Sequence, residues 1–433
     1  MKNFIKKLKT IWWAVKFFVV RIQYRNPSKK LKIVGVTGTN GKTTTATLLY
    51  KITIALGYKA GLIGTVENLI NGEKINIKNK NQIPGTTPDS ITLTKIFNQM
   101  VKAGCEYVFM EVSSHALDQN RVWGVNFIGG IFTNLTHDHL DYHKNFENYF
   151  NAKKKFFKML PQNAFALSNF DDEYGEKILD NIKAKTYFYS FSPDVQRLES
   201  QTSNVWNYGK ILKLDFTGLD LDFNGEKINS KLLGKFNAYN LLSVWSACKL
   251  LGFDKEKVSK ILENVEPPKG RFEHFLSKNG VLVIVDYAHT PDALEKVLST
   301  AQEIKEESAS SADAPKRRII SVFGCGGDRD SSKRPKMGKI GARLSDIAIF
   351  TSDNPRSEDP EKIIFEMQKD LNEEEKKKVI TIIDRRLSIG ESMELAKMGD
   401  IILCAGKGHE NYQEIKGVKT HFNDMEEYRL ITN

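Results

Sequence analysis

Cysteine is scarce in this chain: its 433 residues hold four, at positions 105, 248, 325 and 404, with no CxxC pair. That spacing excludes a disulfide framework or a zinc knuckle and suits reduced thiols in a cytoplasm. Long apolar runs are missing too. The stretch IWWAVKFFVVR (11–21) is interrupted by Lys16 and falls short of the roughly 20 apolar residues that a membrane-spanning helix needs. No small-residue cleavage site follows it, which excludes an ordinary export signal. Acid is absent from residues 1–30, whose nine Lys or Arg supply nine of the net +11 charges; the remainder holds 55 basic against 53 acidic side chains. A body so balanced lacks the spread basic patches of a nucleic-acid enzyme, so no nucleic-acid partner is expected. Internal repeats are also lacking. What is present, 40% hydrophobic and 27% charged residues, is the composition of a globular chain long enough for two or three domains.

LKIVGVTG reads as a buried strand ending in glycine, and a helical pattern runs on from about Lys42 to Leu56. Strand-like YVFMEV (107–112) and IGGIFTNL (128–135) alternate with helical segments, as a mainly parallel sheet requires. Residues 186–233 show short alternating strands and turns, which predicts an antiparallel insertion. After the helical NAYNLLSVWSACKLLG, the prolines of EPPKG mark a linker at 267 and 268, and a second α/β pattern follows through VLVIVDYAH, RIISVFG, DIAIFTS and DIILCAG. KEESASSADAPKRR, between its first two strands, is a polar low-complexity loop. The expected class is α/β: a basic amphipathic helix over 1–30, a central P-loop ATPase domain over 31–268 with its antiparallel insertion, and a Rossmann-like C-terminal domain over 269–433.

Within the leader, Phe4, Leu8, Ile11, Val15, Phe18 and Ile22 form one apolar stripe with Lys2, Lys6, Lys9 and Lys16 broadly opposite. Trp13, Phe17 and Val20 spoil the polar face. Such a helix suits docking through residues 1–25 on an anionic membrane surface or a membrane-bound partner; the plainer alternative is a helix packed on the ATPase domain.

Three clusters carry chemistry. GVTGTNGKTT places glycines at 35, 38 and 41, with Val36 where the strict GxxxxGK[ST] spacing has glycine. The physical demand is still met: backbone N–H groups close around phosphate at a helix N-terminus, Lys42 neutralises charge, and Thr43 can ligate magnesium. THDHLDYH (136–143) holds three of the eight histidines; by itself it is a metal or hydrolase site or simply a polar loop, and its place after a strand puts it on the ligand crevice together with Glu111. In NYFNAKKKFF, Lys153 has Tyr149, Phe150, Phe156 and Phe157 at helical spacing. Burial there would lower its pKa and free a neutral amine for covalent chemistry; the alternative is a lysine snorkelling over an aromatic patch.

Taken in order, GTNGKTTT, GTTPDS (85–90), EVSSHALDQNR (111–121), TNLTHDHLDYH, NAKKKFF, GKFNAYN (234–240), GRFE (270–273), DYAHTPDAL (286–294), FGCGGDRDSSKRP (323–335), DNPR (353–356) and AGKGHE (405–410) resemble the Mur ligases over residues 31 to about 425. More narrowly they resemble the branch that adds the third amino acid to the peptidoglycan stem. The resemblance implies an ATP-dependent carboxylate–amine ligase. Its nucleotide residues would be Gly38, Thr39, Asn40, Gly41, Lys42, Thr43 and Thr44, with Asn237 and His289 near the nucleotide. Thr43, Glu111 and His139 would serve magnesium, as would Lys153 once carbon dioxide has converted it to a carbamate; Lys42, Lys153, His139 and Glu111 would be the catalytic set. Thr86, Thr87, Ser113, Gln119 and Arg121 match positions that bind the muramoyl-peptide. Arg329, Asp353, Asn354, Pro355, Arg356, Gly406 and Glu410 match those that bind the incoming diamino acid, and Arg356 goes with meso-diaminopimelate, whose far carboxylate a guanidinium can grip twice.

The implied reaction has two steps: ATP phosphorylates the C-terminal carboxylate of the bound dipeptide, then the amine attacks the acyl phosphate. Charge on the transferring phosphoryl group is met by divalent ions and Lys42, and closure of the C-terminal domain over the central one is expected to exclude water. The chain departs from the family at its start, where members carry a domain for the uridine nucleotide and residues 1–30 do not show its strands. No uridine-binding residue is carried over. A related ligase acting on a UDP-free or lipid-linked muramoyl-peptide or another carboxylate, and a nonenzymatic ATP-binding scaffold, are the competing possibilities.

Overall fold

The computed structural model describes residues 23–75, 86–136, 138–192, 206–307 and 317–432. The amphipathic stripe, Gly85, His137 and the centre of the KEESASSADAPKRR loop lie outside the described residues. Two compact units are present. One runs to Ile211 and takes in Leu221–Ser230 and Phe236–Val265; the other comprises Leu212–Asp220, Lys231–Lys235 and everything from Glu266. The division therefore falls next to the EPPKG prolines, with two short segments from the antiparallel region belonging to the second unit.

The strands of the first sheet are β1 (Lys32–Thr37), β2 (Ala60–Ile63), β3 (Asn68–Ile70), β4 (Glu73–Lys74), β5 (Tyr107–Glu111), β6 (Phe127–Phe132), β7 (Phe165–Asn169), β8 (Lys185–Ser190), β9 (Trp206–Asp215), β10 (Gly218–Phe223) and β11 (Glu226–Ser230), of which the end of β9 and the start of β10 fall in the segment Leu212–Asp220 of the second unit. They form one sheet in the order β11-β10-β9-β8-β7-β6-β1-β5-β2-β3-β4. Its centre is parallel: β1 pairs with β5 and β6, and β7, β8 and β9 continue in the same sense. The expected antiparallel insertion is part of this sheet. Strands β9, β10 and β11, joined by two-residue turns, extend the main sheet at one edge, and β3 and β4 continue it antiparallel from β2 at the other.

Burial explains the central strands. β1 and β5 are covered on both faces and read as near-continuous apolar runs, the mark of a parallel strand between helices. Gly35 has no room for a side chain, since a Cβ there would lie 2.5 Å from the Phe156 ring.

In the second unit, β12 (Glu273–Leu276), β13 (Leu282–Asp286), β14 (Ile319–Phe323), β15 (Ile347–Phe350), β16 (Val379–Thr381) and β17 (Ile401–Ala405) form a sheet in the order β12-β13-β17-β14-β15-β16, parallel except for β12. A hairpin, β18 (Tyr412–Ile415) and β19 (Val418–His421), stands apart from that sheet. Apolar side chains on both faces of β13, β14 and β17 feed two separate cores. In both units the candidate residues follow the carboxyl ends of adjacent parallel strands, where open α/β sheets bind ligands. Among the described residues, no helix is long and apolar enough to cross a membrane.

Candidate active site

The first group forms where β6, β1 and β5 end. Thr37 gives way to Gly38–Gly41, and Gly41, at φ 81°, starts the helix Lys42–Ala55 without a capping side chain or an acid in the first turn. A helix end of this kind favours an anion through its first-turn N–H groups and dipole. Close approach dictates both loop glycines: a Cβ on Gly38 would lie 1.9 Å from Thr133 Oγ1, and one on Gly41 2.4 Å from Asn240 Oδ1. Thr39 N donates to Asn134 O (2.8 Å), Asn40 N to Asn134 Oδ1 (2.9 Å), and the Thr133 hydroxyl to Asn40 O (2.6 Å). Asn237 is buried and reaches the loop through Asn240, whose Nδ2 donates to Asn237 Oδ1 at 3.0 Å. The departure at Val36 is thus harmless: the loop is shaped by contacts with the segment after β6, not by a glycine at that position.

Two lysines meet on one acceptor. Lys42 Nζ donates to Gly38 O (2.9 Å) and Thr39 O (2.7 Å), while Lys153 Nζ donates to the same Gly38 O at 2.7 Å. Lys153 is 1% exposed, and its amine is held well below the usual lysine value, first by burial and then by the charge of Lys42, with Asp138 opposing. Its aromatic surround is narrower than the sequence predicts. The Tyr149 ring lies 4.7 Å from Nζ, but Phe150 lies under Lys154 instead, at 5.5 Å. Phe156 and Phe157 pack into the core against Phe127 and Phe132, because the turn carrying them faces the sheet. Asn145 caps the helix Phe146–Met159 that holds Lys153.

Glu111, 1% exposed, ends β5; Oε1 accepts from Thr65 N (2.7 Å) and Oε2 from the Thr65 hydroxyl (3.0 Å). His139 has left-handed backbone (φ 54°) and stands edge-on to His115, 4.9 Å between centroids. Burial, then His115, Lys42 and Lys153, lower its pKa against the pull of Asp138, although 44% of the side chain stays exposed and solvent limits the effect. Among the described residues no three His, Cys, Asp or Glu side chains converge to hold a metal by themselves. Magnesium, however, takes one or two protein carboxylates and completes its shell with phosphate and water. Of the expected set, Glu111 offers one buried carboxylate of that kind, and Lys153 would add a second only once converted to a carboxylate.

The expected acceptor residues form one network around Glu111. Thr65 Oγ1 and Thr86 Oγ1 are in hydrogen-bond contact at 3.0 Å, Thr87 Oγ1 donates to Glu111 O (2.9 Å), and Ser113 N donates to Thr87 Oγ1 (3.0 Å). Arg121 donates to Thr87 O (2.8 Å) and to Gln119 Oε1 (2.7 Å), and Gln119 Nε2 donates to the Tyr142 hydroxyl (3.1 Å). Asp89 caps the helix Ser90–Lys102 and so fixes the chain just after Thr87.

In the second unit, the loops after β14, β15 and β17 converge. Arg356, at φ 52°, donates from NH1 to Gly327 O (2.7 Å). A Cβ on Gly326 would lie 3.0 Å from that NH1 and 3.8 Å from Arg329 Cγ, so both arginines flank this glycine; Arg329 is exposed. A Cβ on Gly327 would lie 1.9 Å from Pro355 O. Asn354 Nδ2 donates to Glu410 Oε2 (2.8 Å). Lys407, fully buried, donates to Asn354 Oδ1 (3.1 Å) and Glu410 Oε2 (3.4 Å) and lies 3.6 Å from Asp353 Oδ1. Gly406 abuts Asp353, with 3.6 Å from its would-be Cβ to Oδ2. His289 belongs to a different cluster, where Tyr287 lies between it (4.6 Å) and His409 (4.8 Å). Burial and then Arg271 push His409 down to about 4.

Sequence reasoning passes over Thr65, Asn240, Lys407 and Arg334. Lys407 and Asn240 lie inside the motifs AGKGHE and GKFNAYN; Thr65 has no local signal at all. Arg334, 1% exposed, pairs with Glu358 (2.9 Å) and Glu366 (2.8 Å).

Comparison with known proteins follows the same division. The Mur ligase middle domain matches residues 36–248, and the Mur ligase, glutamate ligase domain matches residues 270–408. The UDP-N-acetylmuramoyl-L-alanyl-D-glutamate--2,6-diaminopimelate ligase of Cytophaga hutchinsonii is 50% identical over 401 residues, 93% of this chain and 77% of that protein. The ligase of the same name from Bacteroides fragilis is 50% identical over 408 residues, 94% and 79% of the two chains. A solved UDP-N-acetylmuramoyl-L-alanyl-D-glutamate--2,6-diaminopimelate ligase superposes with a TM-score of 0.65 at 32% identity, covering 95% of this chain and 81% of that one.

Proposed function

Because this chain belongs to the Mur ligase family, we propose that it is the ATP-dependent ligase joining meso-diaminopimelate to the D-glutamate of a UDP-N-acetylmuramoyl-L-alanyl-D-glutamate acceptor. The observation that carries the amino-acid assignment is the meeting of Arg356, Asp353, Asn354, Glu410 and Lys407 around one set of strand ends. A guanidinium there suits a far carboxylate, and the carboxylates beside it suit an ammonium.

ATP is the phosphoryl donor, with its phosphates on the loop Gly38–Thr44 and the Lys42 ammonium against their charge. Thr43, Glu111 and His139 would hold magnesium, which supplies charge stabilisation to the transferring phosphoryl group. Lys153, buried and with its amine held below the usual lysine value, would take up carbon dioxide, release a proton and become a carboxylate beside them. The network of Thr86, Thr87, Ser113, Gln119 and Arg121 would orient the peptide so that its carboxylate oxygen attacks the γ-phosphorus and ADP leaves. The amine of the diamino acid then attacks the acyl carbon and phosphate leaves. An intact Lys42, Lys153, Glu111 and His139 set argues against a nonenzymatic scaffold, which needs none of it.

The test is ADP release that requires acceptor and meso-diaminopimelate together, run with UDP-muramoyl-dipeptide and with its UDP-free counterpart. Turnover with the UDP form supports the proposal; turnover with the UDP-free form alone moves the activity to another acceptor, and none with either refutes it. Residues 1–25, by their basic and aromatic sequence, are further proposed to dock on an anionic lipid surface. Salt-sensitive sedimentation with anionic liposomes, lost on removing residues 1–25, is the expected result; no sedimentation of the intact chain would contradict it.

A further inference from the structure

We propose that the hairpin β18–β19 is the specificity-determining element of the second unit, holding Arg356 where it reads the far carboxylate of the incoming amino acid. The proposal rests on the diaminopimelate assignment above. Its starting point is the backbone of Arg356, which sits at φ 52° in the left-handed region that branched or long side chains seldom occupy. Such a conformation persists only where neighbours over-determine it, and functional sites are where it collects.

The neighbours here are the hairpin. Arg356 N donates to Glu414 O (3.0 Å) and Lys416 N to Arg356 O (2.6 Å), so Arg356 makes a parallel bridge with Ile415. Two side-chain bonds extend the seam upstream: Gln413 Nε2 to Asp353 O (2.9 Å) and Glu414 N to Asn354 Oδ1 (2.9 Å). The hairpin thus grips Arg356 and Asp353 by their backbone and Asn354 by its amide oxygen, while the Asp353 carboxylate faces Lys407. The guanidinium uses NH1 on Gly327 O, while Glu414 lies 4.0 Å from its Nε and is shared with Lys419 at 3.8 Å. The guanidinium has five N–H donors, and those not used on Gly327 O are the ones assigned to the far carboxylate.

Apolar burial does little to hold the hairpin. Ile415 is 44% and Val418 63% exposed, and every residue of β19 is exposed. Its shape depends on the turn, where Lys416 (φ 48°) and Gly417 (φ 79°) are both left-handed, as a two-residue hairpin turn of this hand requires. A Cβ on Gly417 would meet nothing within 4 Å. A substitution there therefore acts on the turn backbone and on no packing contact.

The experiment compares Gly417→Val and Lys416→Gly with wild type, in the intact chain, with ATP, the UDP-muramoyl-dipeptide, and either meso-diaminopimelate or L-lysine; thermal unfolding of each variant checks the fold. Gly417→Val is expected to raise KM for diaminopimelate about fivefold to tenfold, the size of one residue's left-handed penalty. Its kcat and its KM for ATP should stay near wild type, and its use of lysine should not change. Lys416→Gly, which relaxes the turn, should keep the wild-type preference. An unchanged diaminopimelate-to-lysine ratio in Gly417→Val, or parallel loss with both amino acids and ATP, overturns the proposal. A wild type that turns over lysine and ignores diaminopimelate overturns the assignment beneath it as well, and so separates the two failures.

Discussion

Lys153 and Lys42 share the Gly38 carbonyl, and burial together with the Lys42 charge disfavours the protonated form of Lys153. Because the unmodified Lys153 amine is depressed in the folded state, the unfolded chain binds more protons between that depressed value and the ordinary 10.5. Stability therefore rises with pH across this window, and the full penalty of burying the lysine is felt below it. Lys153→Met, assayed in carbon-dioxide-free buffer, is expected to gain about 1 kcal/mol at pH 7, roughly 2–4 °C in melting temperature. The gain should shrink toward pH 10.5; with bicarbonate restored the wild type ligates and this variant does not, and full activity in it would remove Lys153 from the chemistry. Lys154 and Lys155 serve as controls, being occupied with Lys177 O and Asp118 respectively. Arg356→Ala is expected to cost diaminopimelate about 2–4 kcal/mol in kcat/KM, since a desolvated carboxylate loses its paired donor, with lysine falling far less. Lys407→Met leaves Asp353 and Glu410 without the ammonium between them, so KM for diaminopimelate should rise about tenfold with KM for ATP unchanged. These residues differ in how legible they are from sequence. Lys153 stands out because its neighbours in sequence are also its neighbours on one helix, whereas Thr65 touches Glu111 only across the sheet and leaves no pattern along the chain.

At the scale of elements, loops are held by other loops more than by their own sequence. Glu358 accepts from both terminal nitrogens of buried Arg334 and from Asp328 N (2.6 Å), and Ser357 donates to Asp328 (2.5 Å). Two strand-end loops are thereby pinned together, one carrying Arg329 and the other Arg356. Glu358→Gln keeps the shape but halves the charge pairing of Arg334, so a loss of about 1 kcal/mol in stability together with weaker diaminopimelate binding is expected; denaturant melts and amino-acid titration check it. The strands around these loops are plain in the sequence, since buried parallel strands read as unbroken apolar runs. The antiparallel segment is legible as short alternating strands, but its place is not, because alternation alone does not say that β9, β10 and β11 form the edge of the main sheet. Which sheet a strand joins depends on pairing partners far along the chain, and local periodicity does not record them.

For the whole molecule, each unit repeats one arrangement: candidate loops at the carboxyl ends of adjacent parallel strands, those proposed for phosphate and acceptor in the first unit and those proposed for the amino acid in the second. The ordered motifs make that division legible along the chain, because most of them mark strand ends. The bonds that tie motif to motif, such as the hairpin seam on Arg356, leave no such mark. The central claim is that this ligase selects a diamino acid with two carboxylates. Its most direct test is the ratio of kcat/KM for meso-diaminopimelate over L-lysine in the intact wild-type chain, with ATP and UDP-muramoyl-dipeptide saturating. A preference for diaminopimelate of about 30-fold to 1,000-fold is expected from about 2–4 kcal/mol at the far carboxylate; equal use of the two, or a preference for lysine, would contradict it.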